Sequence, residues 1–562
     1  MKEISLTAID WAVLVFYLVG ILTIGVLAGR KVRSTDHFFL GERKFSKWLM
    51  IGQSFGTGTH ADMPVSLAGA VYTVGLSAIW FQWKNLFATP FYWIFAPVVR
   101  RIRRTTVAEV MEDRYGRLMG AVYTVFSVVF FIIGMAGMLK GAAKVIVQAA
   151  GAQVPVNHLV IAMTAVFILY SFVGGLVATA WTDFLQGFLI IVLSFLLIPL
   201  GWHYVGGLEG IRHTLGDVKL SLATPEGIGP VFILILTING LIGVMAQPHM
   251  IGAVGTGHNE HACRIGMLYG NMTKRVCTVG WALVGLIAAT LLANGTFGVR
   301  ALSDPEEAFG FACRHLLFTG GVGLLIASVL ATNMAGCSAF MVDSGAVFTR
   351  NFYAKYLAPG RSDRHYLWTG RVSGLLITLT AVVYSVFFID RVLYSFLLTE
   401  TMATFVGVSL LGGICWRRAN RHGAVASLVA AFATNFAMYH ARGQRLDNWD
   451  PWVFLTALGV GMATLFVVSI LTPPESDDRL DLFFGNLQTP SDAGHEVPAG
   501  AHEPSPAVAE SGQQLLLVNL LHLKRGAAGL PFRTAYREDL QGFVKGWVIV
   551  IVLVGAVWLL FR

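Results

Sequence analysis

Gly52-Gln53-Ser54-Phe55-Gly56-Thr57-Gly58-Thr59-His60-Ala61-Asp62-Met63-Pro64 lies inside an apolar stretch that spans residues 47–75. Three glycines, several hydroxyls, an imidazole, a carboxylate and a proline are a poor helix for a lipid surface. Backbone groups freed from helical bonding inside a bilayer must line a cavity or bind something. A second stretch breaks the same rule: Asn239-Gly240 and then Ala246-Gln247-Pro248-His249 interrupt the apolar run that starts at Val231.

Working outward, the rest of the 562-residue chain is membrane-like. It is 55% hydrophobic and 13% charged, with a mean hydropathy of +0.65, outside the range of a domain with a solvated surface. Apolar segments of roughly 18 to 25 residues recur, long enough as helices to cross a hydrocarbon core ~30 Å thick. The alternating segments of an outer-membrane barrel are absent. The pattern predicts fourteen spans at 8–29, 47–75, 78–99, 118–150, 156–175, 180–205, 228–254, 271–294, 318–351, 367–389, 393–415, 422–441, 452–472 and 546–561. The fold class expected is an all-α polytopic membrane protein.

The net charge of +9 does not point to nucleic acid, because the bases flank the spans instead of forming a run. With Met1 outside, 29 of the 41 Lys and Arg residues fall in inner segments and nine in outer ones, with Lys84, Lys140 and Lys144 inside helices. That asymmetry places both termini outside the cytoplasm of a plasma (inner) membrane. The strongest cluster is Arg100-Arg101-Ile102-Arg103-Arg104, for which an anionic-lipid patch is the alternative. The five cysteines are too dispersed for a zinc site or disulfide frame and read as buried free thiols. Residues 473–545 form the one sizeable non-membrane segment, with a stretch from Pro490 to Gly512 that reads as disordered and a short amphipathic helix around Leu515–Leu521. Residues 1–472 are thus read as one membrane domain with its core at about 47–415, and 546–562 as a last membrane helix. No nucleotide-binding motif occurs.

The two interrupted segments are the second and the seventh, five apart, which divides the core into two five-helix halves. In an inverted repeat such broken helices meet near the midplane, where free carbonyls and amides coordinate ions and substrate. The alternative is a pair of Gly/Pro kinks in packing interfaces.

These residues resemble the sodium/solute symporter family, which has the five-plus-five inverted-repeat fold of the leucine transporter. Ser171-Phe172-Val173-Gly174-Gly175-Leu176-Val177-Ala178-Thr179-Ala180-Trp181-Thr182-Asp183-Phe184-Leu185-Gln186-Gly187 is similar to the family's Gly-Gly…Thr-Asp-x-x-Gln pattern. Gln247-Pro248-His249 resembles sodium/proline-type members, and Leu67-Ala68-Gly69-Ala70-Val71-Tyr72 the outer half of their first core helix. The layout, with a large loop before the last helix, resembles the sodium/glucose branch. The resemblance implies sodium-driven import of a small organic solute (an amino acid, carboxylate or sugar) by alternating access, with no organic cofactor, no nucleic acid and no obligate protein partner beside the lipid bilayer.

By that resemblance the sodium site takes carbonyls of Gly56 and Thr59 and two hydroxyls of the ninth span. Where relatives carry Ser-Ser or Ser-Thr, this chain has Ala335-Gly336, so water or neighbours such as Thr332 and Ser338 must substitute. An aspartate often found in the first core helix aligns with Gly58, with Asp62 one turn further on. Asp183 is implied in ion exit or an additional sodium site, where Ser338 would supply a hydroxyl; a helix cap is its alternative role. Candidate solute contacts are Thr57, His60, Asp62, Gln82, Lys84, Asn85, Gln247, His249 and Glu400. Ionisable groups within spans are costly and point to function unless paired. Lys84 faces a solute carboxylate or pairs with Asp62 or Glu400, and His60 and His249 either touch solute or are satisfied core residues. Lys140 and Lys144 are read as snorkelling to the interface. Two rivals stand beside sodium coupling. One is proton coupling through Asp62, Asp183 or Glu400; the other is a transporter-like solute sensor that does not translocate. No nucleophile–base pair suggests an enzyme.

Overall fold

The protein was analysed as a computed structural model that describes residues 6–29, 43–151, 155–224, 228–444, 449–488, 490–491, 515–519 and 532–562. The described residues form helices and turns, with a single isolated bridge between Phe45 and Gly257. Nine described helices are long and apolar enough to cross a bilayer, and shorter apolar helices accompany them. Val156–Phe195 is continuous where the sequence predicts two spans parted near Gly174-Gly175. Forty residues of helix rise about 60 Å, twice a hydrocarbon core, so the fourteen spans do not map one to one onto helices. The last helix, Arg537–Phe561, starts nine residues before the expected Gly546.

Proline chemistry sets both breaks. Helix α1 (Lys47–Thr57) stops at Gly58, and α2 (Asp62–Val74) begins four residues later. Pro64 falls in the first turn of α2, where an N–H has no helical partner to lose. Helix α3 (Pro230–Gly243) gives way to one tight turn, after which Gln247 is extended at ψ 129°. That is the conformation which a following proline, here Pro248, imposes on its predecessor. The short helix α4 (Met250–Val254) then resumes.

The broken pair is held by long helices. Helix α5 (Glu260–Asn294) packs along α1 and α2, and α6 (Gly321–Phe348) packs on Val156–Phe195 and on α7 (Arg117–Ala150). Small residues permit the approach: a Cβ on Gly52 would lie 2.7 Å from the Phe184 ring, and one on Gly56 2.8 Å from Asp183 Cβ. Gln53 of α1 donates to the Gly252 carbonyl of α4 at 2.9 Å, joining one broken helix to the other. Helix α8 (Val392–Cys415) closes against α3. Outward-facing positions on the last helix, including Val544, Val548, Ile551, Val552 and Leu559, are exposed apolar residues suited to lipid.

The basic cluster after the third span is built into the protein. Arg101 is 1% exposed and makes a two-bond pair with Glu260 at 2.8 and 3.0 Å. Arg100 donates to Gly257, and Arg104 pairs with Asp113 at 2.6 Å. Lys144 pairs with Asp304 at 2.8 Å and Glu306 at 2.5 Å, acids of the segment between the eighth and ninth predicted spans, while Lys140 donates to Asn157. Of the 473–545 segment, Asp477–Gln488 is helical, and Arg101 and Arg103 donate to the carbonyls of Leu487 and Pro490 that follow. Residues 492–514, most of the stretch expected to be disordered, and 520–531 lie outside the described residues. All five cysteines carry free thiols, four of them buried.

Candidate functional site

The two breaks face one cavity. Its free space, open mouth included, is about 880 Å³, and its wall takes Thr57, His60 and Asp62 from the first break, and Gln247 and His249 from the second. Asn85 and Glu400 complete the sequence-expected wall residues. Phe130 of α7 and Phe340 of α6 form its apolar side, with the His249 ring 5.1 Å from Phe340 and 6.1 Å from Phe130. Polar groups converging from two discontinuous helices onto an enclosed space are the arrangement of a solute site.

The free carbonyls at the first break are taken by side chains. His60 Nε2 lies 2.6 Å from the Thr57 carbonyl, and because a carbonyl only accepts, Nε2 is the donor. The Gly58 carbonyl accepts from the Lys274 ammonium. The Gly56 carbonyl already accepts from the Thr59 N–H at 3.2 Å. The imidazole also explains the Ala335-Gly336 departure. A Cβ on Gly336 would meet His60 Cδ2 at 2.6 Å and Met138 Sδ at 3.0 Å, so His60 fills the space that a side chain at 336 would need.

Of the other sodium candidates, Thr332 donates to Ser328 at 2.7 Å and Ser338 donates to the Met334 carbonyl, both within their own helix. Thr59 Oγ1 is buried without a hydrogen-bond partner. Asp183 is wholly buried beside Gly56; its Oδ2 accepts from Thr57 at 3.0 Å and its Oδ1 has no partner. A buried carboxylate oxygen left without a donor is costly unless a proton or cation occupies it.

Lys84 stands behind the wall. It is fully buried, its Nζ 3.1 Å from Glu400 Oε2 and 2.7 Å from Asn239 Oδ1, with the Phe396 ring centroid 4.9 Å away. The other Glu400 oxygen accepts from Gln247 at 2.7 Å, and Asn239 donates onward to Thr404 at 3.0 Å. Of the two readings of Lys84, the geometry is that of the Glu400 pair. Gln82 is buried outside the cavity wall, its carbonyl accepting from Arg275 at 3.2 Å. His60 Nδ1 is 3.8 Å from Asp62 Oδ1, an oxygen that otherwise has no partner.

Sequence reasoning missed Lys274, Arg275 and Asn271, all on the cavity wall. The predicted eighth span opened at 271, which put Lys274 and Arg275 in the count of inner-loop bases. Helix α5 in fact starts at Glu260, capped by the Asn259 side chain accepting from Ala262 N–H at 2.7 Å, so Lys274 sits about 21 Å along it. Asn259-Glu260, an N-cap followed by a first-turn acid, is the signal that marks the earlier start. Asn239, which extends the Lys84 network, was visible only as an interruption of its apolar run, and Thr404 carried no motif.

Comparison with known proteins bears on the whole of this architecture. The chain is similar to the osmoregulated proline transporter of Bacillus subtilis, 25% identical over 436 residues that cover 74% of this chain and 86% of that one. It is also similar to the sodium/proline symporter of Escherichia coli (24% over 439 residues, 74% and 85% covered) and to the sodium/glucose cotransporter of Vibrio parahaemolyticus (19% over 475 residues, 78% and 86% covered). Among solved structures, a Na+-coupled sialic acid symporter in a substrate-bound outward-open state superposes with a TM-score of 0.71, at 16% identity, over 84% of this chain and 99% of that one. At that identity the match speaks for the fold. Residues 38–430 match the family described as the sodium:solute symporter family, and the chain, a multi-pass membrane transporter and not an enzyme, belongs to it.

Proposed function

We propose that this protein imports a small organic solute, bound in the cavity between the two broken helices, in symport with sodium. The observation that carries the reading is the convergence of both breaks on one enclosed polar space, with the half-satisfied Asp183 carboxylate directly behind the first break. Asp183 and Thr57 hold the coupling cation. Thr57 both lines the cavity and donates to Asp183, so a cation arriving at Asp183 and a solute arriving in the cavity act on the same side chain. That shared residue gives each ligand a differential effect on the other's site, which is what coupling requires. Gly56 borders this position and Thr59 bonds back to its carbonyl, whereas Gly336 leaves space for His60.

Relatives named for proline, glucose and sialic acid support an organic solute of modest size. Both termini lie outside the cytoplasm. Removing Lys274 and Arg275 from the inner loops still leaves 27 basic residues against nine. Residues 473–545 then form a cytoplasmic segment. A second reading, proton coupling, is favoured by one observation: His60 and Lys274 place nitrogen donors on the Thr57 and Gly58 carbonyls, within the break where a sodium ion would bind.

The test is uptake into proteoliposomes of labelled proline, glucose, myo-inositol, sialic acid and pyruvate, driven by an inward sodium gradient, an equal potassium gradient or a pH gradient at clamped potential. Sodium-driven accumulation of one solute, absent with potassium, is the expected result. Accumulation driven by the pH gradient alone would replace sodium with protons. Loss of sodium drive in Asp183→Asn, with solute binding kept, would locate the cation.

A further inference from the structure

Lys274 is buried at the middle of the fold, and among the described residues no carboxylate pairs with it. It is 7% exposed and lines the cavity, and its single hydrogen bond goes to the Gly58 carbonyl. Neighbouring Arg275, 1% exposed, donates to Gln82 O and to Thr89 Oγ1. Among the described residues no carboxylate comes within ion-pair distance of either. The charged groups close enough to act on Lys274 are Arg275, Lys84, Glu400 and Asp62. Glu400 is already matched by Lys84 at 3.1 Å. Asp62 makes no ion pair with Lys274 or Arg275; its Oδ1 lies 3.8 Å from His60 Nδ1 instead. Burying an uncompensated charge in low dielectric is costly, and a cavity that carries one is built for a ligand of opposite sign.

An ammonium has three donors. One is spent on the Gly58 carbonyl, which anchors Lys274 to the break, and two remain for the cavity. From this geometry we infer that the solute carries a carboxylate and is a net monoanion, and that Lys274 is the residue that binds it. The inference rests on the cavity being the solute site, and it narrows that reading from small organic solutes to monocarboxylates. A sugar would leave the charge unbalanced. A zwitterionic amino acid would bring its own ammonium to a wall that already holds Lys274 and Arg275 without an ion-pair partner. Because Lys274 also holds the carbonyl at the break, carboxylate binding acts on the hinge where α1 meets α2.

The experiment uses the full chain in detergent at constant sodium, so that its outcome is independent of whether sodium drives transport. Thermal midpoints are titrated with propionate, L-lactate, pyruvate, benzoate and nicotinate, each against its amide, and with L-proline and glucose. The expected result is a saturable rise with at least one carboxylate and none with its amide. In Lys274→Met that affinity should fall about ten- to hundredfold, the value of a charge-assisted hydrogen bond. Lys274→Arg, which keeps the charge, should retain more of it than Lys274→Met does. Exchanging chloride for sulfate at constant sodium controls for a simple anion site. The inference is overturned if no carboxylate shifts the midpoint, if amide and carboxylate act alike, if chloride gives the same shift, or if Lys274→Met binds the carboxylate as the wild type does. Failure of sodium-driven uptake, by contrast, would overturn the coupling reading and leave this result standing.

Discussion

Removing either member of the Lys84–Glu400 pair should cost far more than removing both. The two charges lie 3.1 Å apart, with side chains 0% and 8% exposed. At an effective dielectric constant of about 20, Coulomb's law bounds their attraction at about 5 kcal/mol. Much of this is offset by the desolvation of both groups, so the pair itself adds little net stability. Breaking it is different, because Lys84→Met leaves Glu400 with the Gln247 amide alone, and Glu400→Gln leaves the ammonium with Asn239 and the Phe396 face. Each single substitution should destabilise by about 3–5 kcal/mol, the usual cost of stranding a buried charge. The double variant Lys84→Met/Glu400→Gln should be more stable than either single variant, which requires a coupling energy of about 3 kcal/mol or more. The assay is reversible unfolding of the four proteins in mixed micelles with increasing SDS, followed by far-UV circular dichroism. Additive single losses, with a coupling under about 0.5 kcal/mol, would refute the pair as a stabilising unit and return Lys84 to the solute.

Three further outcomes follow from the packing. Gly336→Ser, which restores a hydroxyl where relatives carry one, should lose about 1–3 kcal/mol to overpacking against His60 and Met138. Gly336→Ser/His60→Ala should regain most of it in the same unfolding assay, and no recovery would mean that the imbalance lies elsewhere. Glu260→Gln removes the counter-charge of the buried Arg101 guanidinium and should cost about 3–5 kcal/mol while leaving ligand affinity in the thermal-shift titration unchanged; an altered affinity would tie this pair to the solute site. Gly56→Ala should lower the midpoint and weaken any sodium effect together, since its Cβ would press on Asp183 at 2.8 Å. A change in stability with the sodium effect intact would separate Gly56 from the cation.

Much of the architecture was legible because membrane burial leaves a coarse mark. The two breaks were readable from glycine, proline and polar residues inside otherwise apolar runs, and both fall where Pro64 and Pro248 predict. The His60, Asp62, Gln247 and His249 positions on one cavity followed from pairing the two breaks, and Glu400 stood out as an ionisable group within a span. What failed was local. Helix α5 begins eleven residues before its apolar stretch does, because Asn259 caps it and polar residues are tolerated where they face protein. Placing Lys274 and Arg275 outside the membrane hid two basic residues of the cavity wall. Hydropathy cannot distinguish a helix facing lipid from one packed on a polar cavity. The partner of Lys84 was undecidable from sequence, since Glu400 lies 316 residues away and only the fold brings them together.

The central claim is that sodium acts at Asp183 and Thr57. Its most direct test is equilibrium binding of radiolabelled sodium to the purified protein, wild type and Asp183→Asn, at fixed ionic strength with potassium as competitor. The account predicts saturable sodium binding that potassium does not displace and that Asp183→Asn abolishes while remaining folded. Equal binding in both proteins, or none in the wild type, would contradict it.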